Sequence, residues 1–300
     1  MNSKIYTLLM SAGLAFSINA AVAQSPQIAP LRAKFASLTD SLRNNQYKRP
    51  IYIESAESSG ALKGDLYALV DHPFAMLNAS LSGAAPWCDV LILPINTKEC
   101  RVTEKPGGTT LTVRIGRKTD QPVKDAFPIE FAYRLADSSN DYLAVRLDAE
   151  SGPFGTHDYR VLLEATPAED GKTFLHLRYS YGYGTTGRLA MQAYLATAGS
   201  GKVGFTTTGN DLIGGMRGVV ERNTMRYYLA IDAYLNAAVS PAAKRVERRL
   251  AEWFDATEQY KRQLHEIDRD AYLSMKRKEV QRQQTAQEAV SGARISGNSL

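Results

Sequence analysis

The sequence predicts an α+β protein in which an antiparallel sheet is followed by long helices. Over residues 50–183, short runs of alternating apolar and polar residues are separated by Gly, Pro, Asn and Asp, which is typical of antiparallel strands. From residue 212 onward, apolar residues recur every three or four positions, which is the period of an amphipathic helix. The change of period divides the chain into a sheet region and a helical region.

The first 23 residues predict a cleavable secretory signal peptide. Lys4 precedes a mostly apolar run over residues 5–18, and residues 21–23 read Ala-Val-Ala. A short apolar segment that ends in Ala-x-Ala is the pattern that signal peptidase cleaves, and it is too short to span a bilayer. An uncleaved anchor is the alternative. We therefore expect a periplasmic or secreted protein.

Composition and spacing exclude several classes of partner. The 300 residues carry a net charge of +5, without the concentrated basic patch and interleaved aromatic residues that predict a nucleic-acid partner. No segment after the signal peptide is apolar over 18 residues, so no transmembrane span is predicted. Four histidines occur without the spacing of metal ligands, so we expect neither a metal site nor a cofactor; they are His72, His157, His176 and His265.

The two cysteines, Cys88 and Cys100, are predicted to form a disulfide. An exported chain folds in an oxidising compartment, where paired thiols usually become oxidised. A metal site is the alternative, but it requires more ligands than two cysteines. The bond would close a short loop and stabilise the fold by about 2 to 3 kcal/mol.

The sheet region begins after an N-terminal helix within residues 24–47. In that helix, apolar residues from Leu31 to Leu42 recur at spacings of four, three and four. A second, short helix is predicted at residues 73–82, since Pro at a helix start loses no hydrogen bond. The strands are predicted at residues 51–55, 64–70, 89–93, 109–117, 129–136, 142–149, 158–166 and 173–183.

The last predicted strand has two different faces. Because side chains alternate along a strand, the polar or mixed face carries Phe174, His176, Arg178 and Ser180. The opposite face is large and mostly aromatic. Its residues are Leu175, Leu177, Tyr179, Tyr181 and Tyr183.

The helical region contains a helix at residues 188–197, an extended piece at 202–208 and a long helix at 212–239. The buried stripe of the long helix is predicted to include Met216, Val220, Asn223, Tyr227, Ala230, Tyr234 and Ala238, which recur every three or four residues.

A further long helix is predicted at residues 240–280. Ser240 and Pro241 favour a helix start, and apolar residues at 246–271 follow a heptad pattern that we call the seam. The seam either packs on its own chain or forms a coiled coil in a homodimer. Residues 281–300 are polar and small, which predicts a disordered tail.

The order of these elements resembles the helix-grip fold. Residues 152–160 (Gly-Pro-Phe-Gly-Thr-His-Asp-Tyr-Arg), the hairpin after them and the helix that begins near Met216 are similar to the later half of a START-related or polyketide-cyclase-related (SRPBCC) domain. The resemblance covers residues 48–239. It implies a curved sheet wrapped around the long helix, with a cavity between them that commonly holds a lipid, sterol or other apolar ligand.

The resemblance implies ligand contacts from the last strand and the long helix, and no catalytic residue, since the family has no universal catalytic motif. Arg217, Glu221 and Arg222 would supply charges near the rim of the cavity. His157 and Asp158 would not act together, because neighbours on a strand point to opposite faces. The candidate ligand-binding residues are Leu177, Arg178, Tyr179, Tyr181, Tyr183, Met216, Asn223, Tyr227 and Tyr234.

Three functions are compatible with these predictions. A binding or carrier protein for a lipid or other apolar small molecule requires an apolar cavity with few polar groups. A cyclase-like or hydratase-like enzyme requires an acid or base grouped with a second polar residue in that cavity. An envelope assembly protein requires a filled core and an exposed seam. The sequence favours the binding protein.

Overall fold

The computed structural model describes residues 27–197 and 199–297. The predicted signal peptide at residues 1–23 lies outside these residues. Eight long strands are found in the described part of the chain: β1 Ile51–Ser58, β2 Ala61–Val70, β3 Thr97–Lys105, β4 Gly108–Ile115, β5 Phe127–Ser138, β6 Leu143–Ser151, β7 Thr156–Pro167 and β8 Thr173–Tyr183. A two-residue pair, β9 Thr207–Thr208 and β10 Asp211–Leu212, lies apart from them.

The helices of the described residues flank this sheet and follow it. They are α1 Ile28–Arg43, α2 Phe74–Leu81, α3 Ala84–Leu91, α4 Thr185–Ala196, α5 Gly215–Ala238, α6 Ala242–Glu258, α7 Lys261–Leu264 and α8 Arg269–Gly297. None of them is long and apolar enough to cross a membrane.

The eight long strands form one antiparallel sheet in the order β1-β2-β8-β7-β6-β5-β4-β3. The early strand β2 pairs with the last strand β8, with Leu66 opposite Leu177. This pairing places the N-terminal hairpin next to β8. The helix α5 packs against β1, β2 and β8. The α+β prediction, with a long helix held against the sheet, is confirmed.

The two faces of the sheet contact different helices. The inner face packs on α5, and the larger core between them includes Leu66 and Leu177 of the sheet and Val220 of α5. Gly64 permits this close approach, because a Cβ there would lie 2.3 Å from the Thr224 Oγ1. The outer face packs on α1, where Leu31 and Leu38 belong to a second core. The sheet thus separates two cores.

The predicted strand at residues 89–93 is wrong: these residues belong to the end of α3 and the turn after it. A short apolar run is compatible with a buried strand or a buried helix. Here the run belongs to a helix, in which Trp87 and Val90 are both buried. The strand β3 was not predicted, because its sequence is mostly polar. The Cys88–Cys100 disulfide is confirmed and joins α3 to β3.

The helix predicted at residues 240–280 is divided into α6, α7 and α8. The helix breaks at Tyr260, whose backbone is not helical (φ −120°, ψ 48°) and whose hydroxyl donates to the Tyr47 carbonyl at 2.9 Å. The break allows α8 to pack against α6 and β3. The tail predicted to be disordered is helical as far as Gly297, because α8 continues and buries Gln283.

The seam at residues 246–271 packs within its own chain. Leu250, Trp253 and Leu264 are almost fully buried, and the Trp253 Nε1 donates to the Arg226 carbonyl of α5 at 3.1 Å. The Trp253 ring also stacks on Tyr272 of α8, at 5.1 Å between centroids. The apolar face of the seam therefore has intrachain partners, and a homodimer through it stays a prediction.

Candidate ligand-binding cavity

A cavity of about 180 Å³ lies between the inner face of the sheet and α5. Its apolar lining comes mainly from β4 to β7, with Val113, Ile129, Phe131, Leu147 and Val161. Its polar and aromatic lining includes Tyr159 of β7, Tyr179 and Tyr181 of β8, and Asn223, Arg226 and Tyr227 of α5.

Local periodicity explains why these side chains meet. Tyr179 and Tyr181 are two residues apart on β8 and therefore share a face. Asn223, Arg226 and Tyr227 are three and four residues apart on α5, which also places them on one helix face. The sheet and the helix thus present their polar aromatic residues to the same space.

The tyrosine rings pack closely and occupy part of the space that they line. Tyr159 stacks on Tyr181 at 5.3 Å between ring centroids, and Tyr179 lies 5.2 Å from Tyr227. Offset and tilted contacts of this kind stabilise aromatic clusters. The packed rings therefore form one wall of the cavity and limit its volume.

Three tyrosine hydroxyls of this wall have no hydrogen-bond partner in the described part of the chain: those of Tyr179, Tyr181 and Tyr227. Burial raises the pKa of Tyr227 to about 12 and raises the pKa of Tyr179 well above its usual value. The hydroxyls are therefore neutral at physiological pH. Each can donate a hydrogen bond to a ligand or accept one from it.

Arg226 is the charged residue of the cavity wall and is only 8 % exposed. Its Nη2 donates to the Glu266 Oε1 at 2.7 Å, and its Nη1 donates to the Asn223 Oδ1 at 3.3 Å. Its Nε is buried without a partner among the described residues. Burial lowers the pKa of Arg226, but a guanidinium remains protonated at physiological pH.

Glu266 is shared by three cations. Its Oε1 lies 2.7 Å from the Lys118 Nζ as well as from Arg226, and its Oε2 pairs with Lys202. Burial lowers the pKa of Lys118 to about 8, and the neighbouring Arg226 and Lys202 act in the same direction. One carboxylate thus faces three positive groups beside the cavity.

Pro153, Phe154 and Met191 line the cavity from the β6–β7 turn and from α4. Phe154 is 74 % exposed although it lines the cavity, so it lies where the cavity meets solvent. Its positive φ of 59° is uncommon for a residue with a side chain. The turn and α4 therefore flank the entrance.

Four of the nine candidate ligand-binding residues line the cavity: Tyr179, Tyr181, Asn223 and Tyr227. Leu177 is completely buried in the core that packs on α5. Arg178 lies on the outer face, where its Nε donates to the Asp65 Oδ1 at 2.6 Å. Its position follows from strand alternation, because it is an immediate neighbour of Leu177.

The other three candidates make contacts outside the cavity. The Tyr183 hydroxyl donates to the Glu57 Oε1 at 3.1 Å, and Met216 packs at the margin of the core near the start of α5. The Tyr234 ring lies under the Arg249 guanidinium, 4.4 Å from it. These residues belong to the expected strand and helix, but the cavity occupies only part of the interface between the two elements.

The charges expected at the rim also have other partners. Arg217 donates to the Ser55 Oγ at 3.0 Å, and Arg222 donates to the Val203 carbonyl at 3.4 Å. The Glu221 carboxylate accepts hydrogen bonds from the Phe205 and Thr206 backbone N–H groups at 2.6 and 2.9 Å. Glu221 therefore attaches the loop before α5 to the helix.

Arg226 and Tyr159 line the cavity but are not among the predicted ligand-binding residues. Arg226 follows Asn223 by three residues, so the helical period that selected Asn223 and Tyr227 also places Arg226 beside them. No local pattern distinguishes Tyr159 from the other residues of its strand. It reaches the cavity because β7 pairs next to β8.

The expectation that His157 and Asp158 point to opposite faces of the strand is wrong. The register of β7 against β8 shifts between His157 and Arg160, and Asp158 has a φ of 51°. This irregularity brings the His157 Nδ1 to 2.8 Å from the Asp158 Oδ2. The pair is exposed and does not line the cavity.

Comparison with known proteins finds no matching family model and no similar sequence among curated proteins. Among solved structures, the chain is similar to Ara h 8.0201, with 11 % identity, 62 % of this chain and 99 % of that chain covered, and a TM-score of 0.35. A conserved protein from Geobacillus kaustophilus has 10 % identity, coverage of 58 % and 95 %, and a TM-score of 0.35. Norcoclaurine synthase from Thalictrum flavum has 14 % identity, coverage of 63 % and 91 %, and a TM-score of 0.31. At these values the similarities carry no argument about a ligand or a reaction.

Proposed function

We propose that this chain is a binding protein that takes one small, largely apolar molecule into the cavity between the sheet and α5. The observation that carries the proposal is an apolar cavity whose wall contains tyrosine hydroxyls without partners in the described residues. Polar groups inside proteins are normally hydrogen-bonded, because an unmade hydrogen bond is costly. A ligand with its own polar atom would complete these bonds.

The volume favours a ligand with a single ring. An apolar cavity of about 150 Å³ accommodates benzene, and this cavity measures about 180 Å³. A lipid chain or a sterol would require the cavity to enlarge. We therefore infer a compact molecule of the size of a substituted six-membered ring.

The same wall favours binding over cyclase-like or hydratase-like catalysis. General acid–base chemistry at neutral pH most often uses His, Asp or Glu within hydrogen-bond reach of the substrate. The described lining residues include none of these three types. The tyrosine hydroxyls remain protonated, which suits hydrogen bonding to a ligand better than proton abstraction.

We also propose that the protein acts in the periplasm or outside the cell and belongs to the START-related, polyketide-cyclase-like superfamily. The apolar N-terminal segment and the Cys88–Cys100 disulfide support the location. The element order supports the superfamily: a helix, a hairpin, two short helices, six strands and a long helix.

Calorimetric titration with three single-ring molecules tests the binding function: p-cresol, phenylacetate and phenethylamine. We expect at least one to bind, and Tyr227→Phe to weaken it about threefold to tenfold, the usual contribution of one hydrogen bond. Tyr234→Phe is the matched control on the same helix, because Tyr234 lies outside the cavity. If none of the three binds at millimolar concentration, the proposal is wrong.

A further inference from the structure

The polar groups of the cavity wall are matched to a ligand that accepts hydrogen bonds. Arg226 carries a positive charge, and the described lining residues include no aspartate or glutamate that could receive a cationic ligand. Donors are available from Arg226, from Asn223 and from the tyrosine hydroxyls. The wall thus offers one kind of charge and many donors.

The arginine is held in place by its two terminal nitrogens, and its Nε has no partner among the described residues. Its two terminal nitrogens are bonded to Glu266 and Asn223, at 2.7 and 3.3 Å, whereas its Nε is buried and has no partner in the described part of the chain. A buried donor of a charged group without an acceptor is costly. Because the side chain is only 8 % exposed, water does not readily satisfy it.

The Asn223 amide is oriented by the same contact. Its Oδ1 accepts the hydrogen bond from Arg226, so its Nδ2 is left as the donor. No hydrogen bond from this Nδ2 is formed within the described residues. Asn223 and Arg226, three residues apart on α5, thus each keep a nitrogen whose N–H groups have no acceptor among the described residues.

The surroundings of Arg226 carry excess positive charge. Lys118, Lys202 and Arg226 all pair with the single carboxylate of Glu266, and Glu266 is itself largely buried. Charges that are removed from water interact more strongly than exposed ones. An additional anion beside Arg226 would therefore be attracted to this end of the cavity.

We propose that the cavity binds a small organic acid, a single-ring molecule whose carboxylate lies against Arg226 and Asn223 while its ring lies among the tyrosines. This inference rests on the proposed binding function and adds the class of ligand. The carboxylate accepts hydrogen bonds from the unpaired N–H groups of these two residues, and the ring occupies the apolar part of the cavity. A cationic amine is repelled by the same group, and a neutral ring leaves the donors unpaired.

The test compares three molecules of similar shape and different charge: phenylacetate, phenylacetamide and phenethylamine. Calorimetric titration at neutral pH gives the affinity of each for the unaltered protein. We expect phenylacetate to bind about tenfold to a hundredfold more tightly than phenylacetamide, as is usual when a hydrogen bond involves a charged group. We expect phenethylamine to bind most weakly.

The Arg226→Gln variant tests whether Arg226 recognises the carboxylate of the ligand. The change keeps a donor but removes the charge, and it leaves Lys118 and Lys202 to pair with Glu266. We expect it to abolish the preference for phenylacetate over phenylacetamide. Arg160→Gln is the matched control, since it removes one exposed arginine from the opposite face of the sheet.

The outcomes separate the two proposals. If phenylacetamide or phenethylamine binds the unaltered protein as tightly as phenylacetate, the acid inference is wrong and the binding function stands. If none of the three molecules and no p-cresol binds, both proposals fail. Because the comparison of ligands uses the unaltered protein, the inference remains testable even if Arg226→Gln does not fold.

Discussion

Asp65 shows how one buried carboxylate organises the outer face of the sheet. It is 1 % exposed and accepts hydrogen bonds from the His176 Nε2 at 2.8 Å and the Arg178 Nε at 2.6 Å. The other ring nitrogen of His176 lies 2.9 Å from the Glu164 Oε2. Although burial opposes ionisation, His176 and Arg178 hold the pKa of Asp65 far below its usual value.

Asp65 and His176 stabilise the fold over different ranges of pH. The contribution of Asp65 is complete above its ordinary pKa of 3.8 and is lost as the pH falls below it. The pKa of His176 is raised despite burial, because Asp65 and Glu164 favour its charged form. Its contribution is complete below 6.5 and is lost as the pH rises through the folded-state value.

Asp65→Asn is expected to lower the free energy of unfolding by about 3 kcal/mol, because it removes a carboxylate that pairs with the buried His176. It should also lower the pKa of His176, which NMR titration of the imidazole measures. Asp158→Asn is the control, since the Asp158 carboxylate is exposed and pairs with His157. An unchanged His176 pKa in Asp65→Asn would contradict this account of the cluster.

At the scale of elements, α8 covers the exposed edge of the sheet. β3 is an edge strand, and such an edge presents unpaired backbone groups. The Lys276 Nζ donates to the Thr97 carbonyl at 2.6 Å, and the Cys100 N–H donates to the Gln283 Oε1 at 2.7 Å. Side chains of α8 thus replace the partner strand that β3 lacks.

This contact buries two lysines with one glutamate. Lys98 and Lys276 pair with Glu279 at 3.0 and 2.7 Å, and all three side chains are at most 1 % exposed. Burial lowers the pKa of Lys276 to about 8, from 10.5. Between these values the unfolded chain binds more protons than the folded protein, so stability rises with pH.

Lys276→Met is expected to reduce the increase in the free energy of unfolding between pH 8 and pH 10. A smaller increase should remain, because the pKa of Lys118 is also about 8. Urea denaturation at a series of pH values measures the slope, and Lys278→Met, at a side chain that is 66 % exposed, is the control. If Lys276→Met keeps the full increase, Lys276 is not its source.

At the scale of the whole molecule, one sheet supports two cores that have different roles. The outer core under α1 contains Leu31, Leu38 and Phe174 and has no part in the cavity. The inner core includes the cavity beside a tightly packed region around Leu66 and Leu229. We therefore expect substitutions in the outer core to change the stability of the fold without changing ligand affinity.

Leu38→Ala tests this separation. Leu38 is 6 % exposed, and truncation of a buried leucine lowers the free energy of unfolding by about 2 to 5 kcal/mol. We expect the affinity for the single-ring molecules to stay unchanged in titrations at a temperature where the variant is folded. A loss of affinity comparable to that of Tyr227→Phe would show that the two cores are coupled.

Local patterns in the sequence determined the class of fold, most of the strands, α1, α2 and α5, and the disulfide partners. These features depend on side-chain alternation, helical period and the number of cysteines, which can all be read within a short segment. The same patterns selected Tyr179, Tyr181, Asn223 and Tyr227, because residues of one face remain together in any arrangement of the elements.

Only the tertiary structure decided which part of each face reaches the cavity. Leu177 and Tyr181 share a face of β8, but Leu177 is packed in the core whereas Tyr181 lines the cavity. The helical period at residues 240–280 predicts one helix, but the chain breaks at Tyr260, whose hydroxyl contacts Tyr47, 213 residues away in the chain. The polar end of the cavity also depends on distant segments, because Glu266 pairs with both Arg226 and Lys118. Such contacts depend on the free energy of packing whole elements, which no local pattern contains.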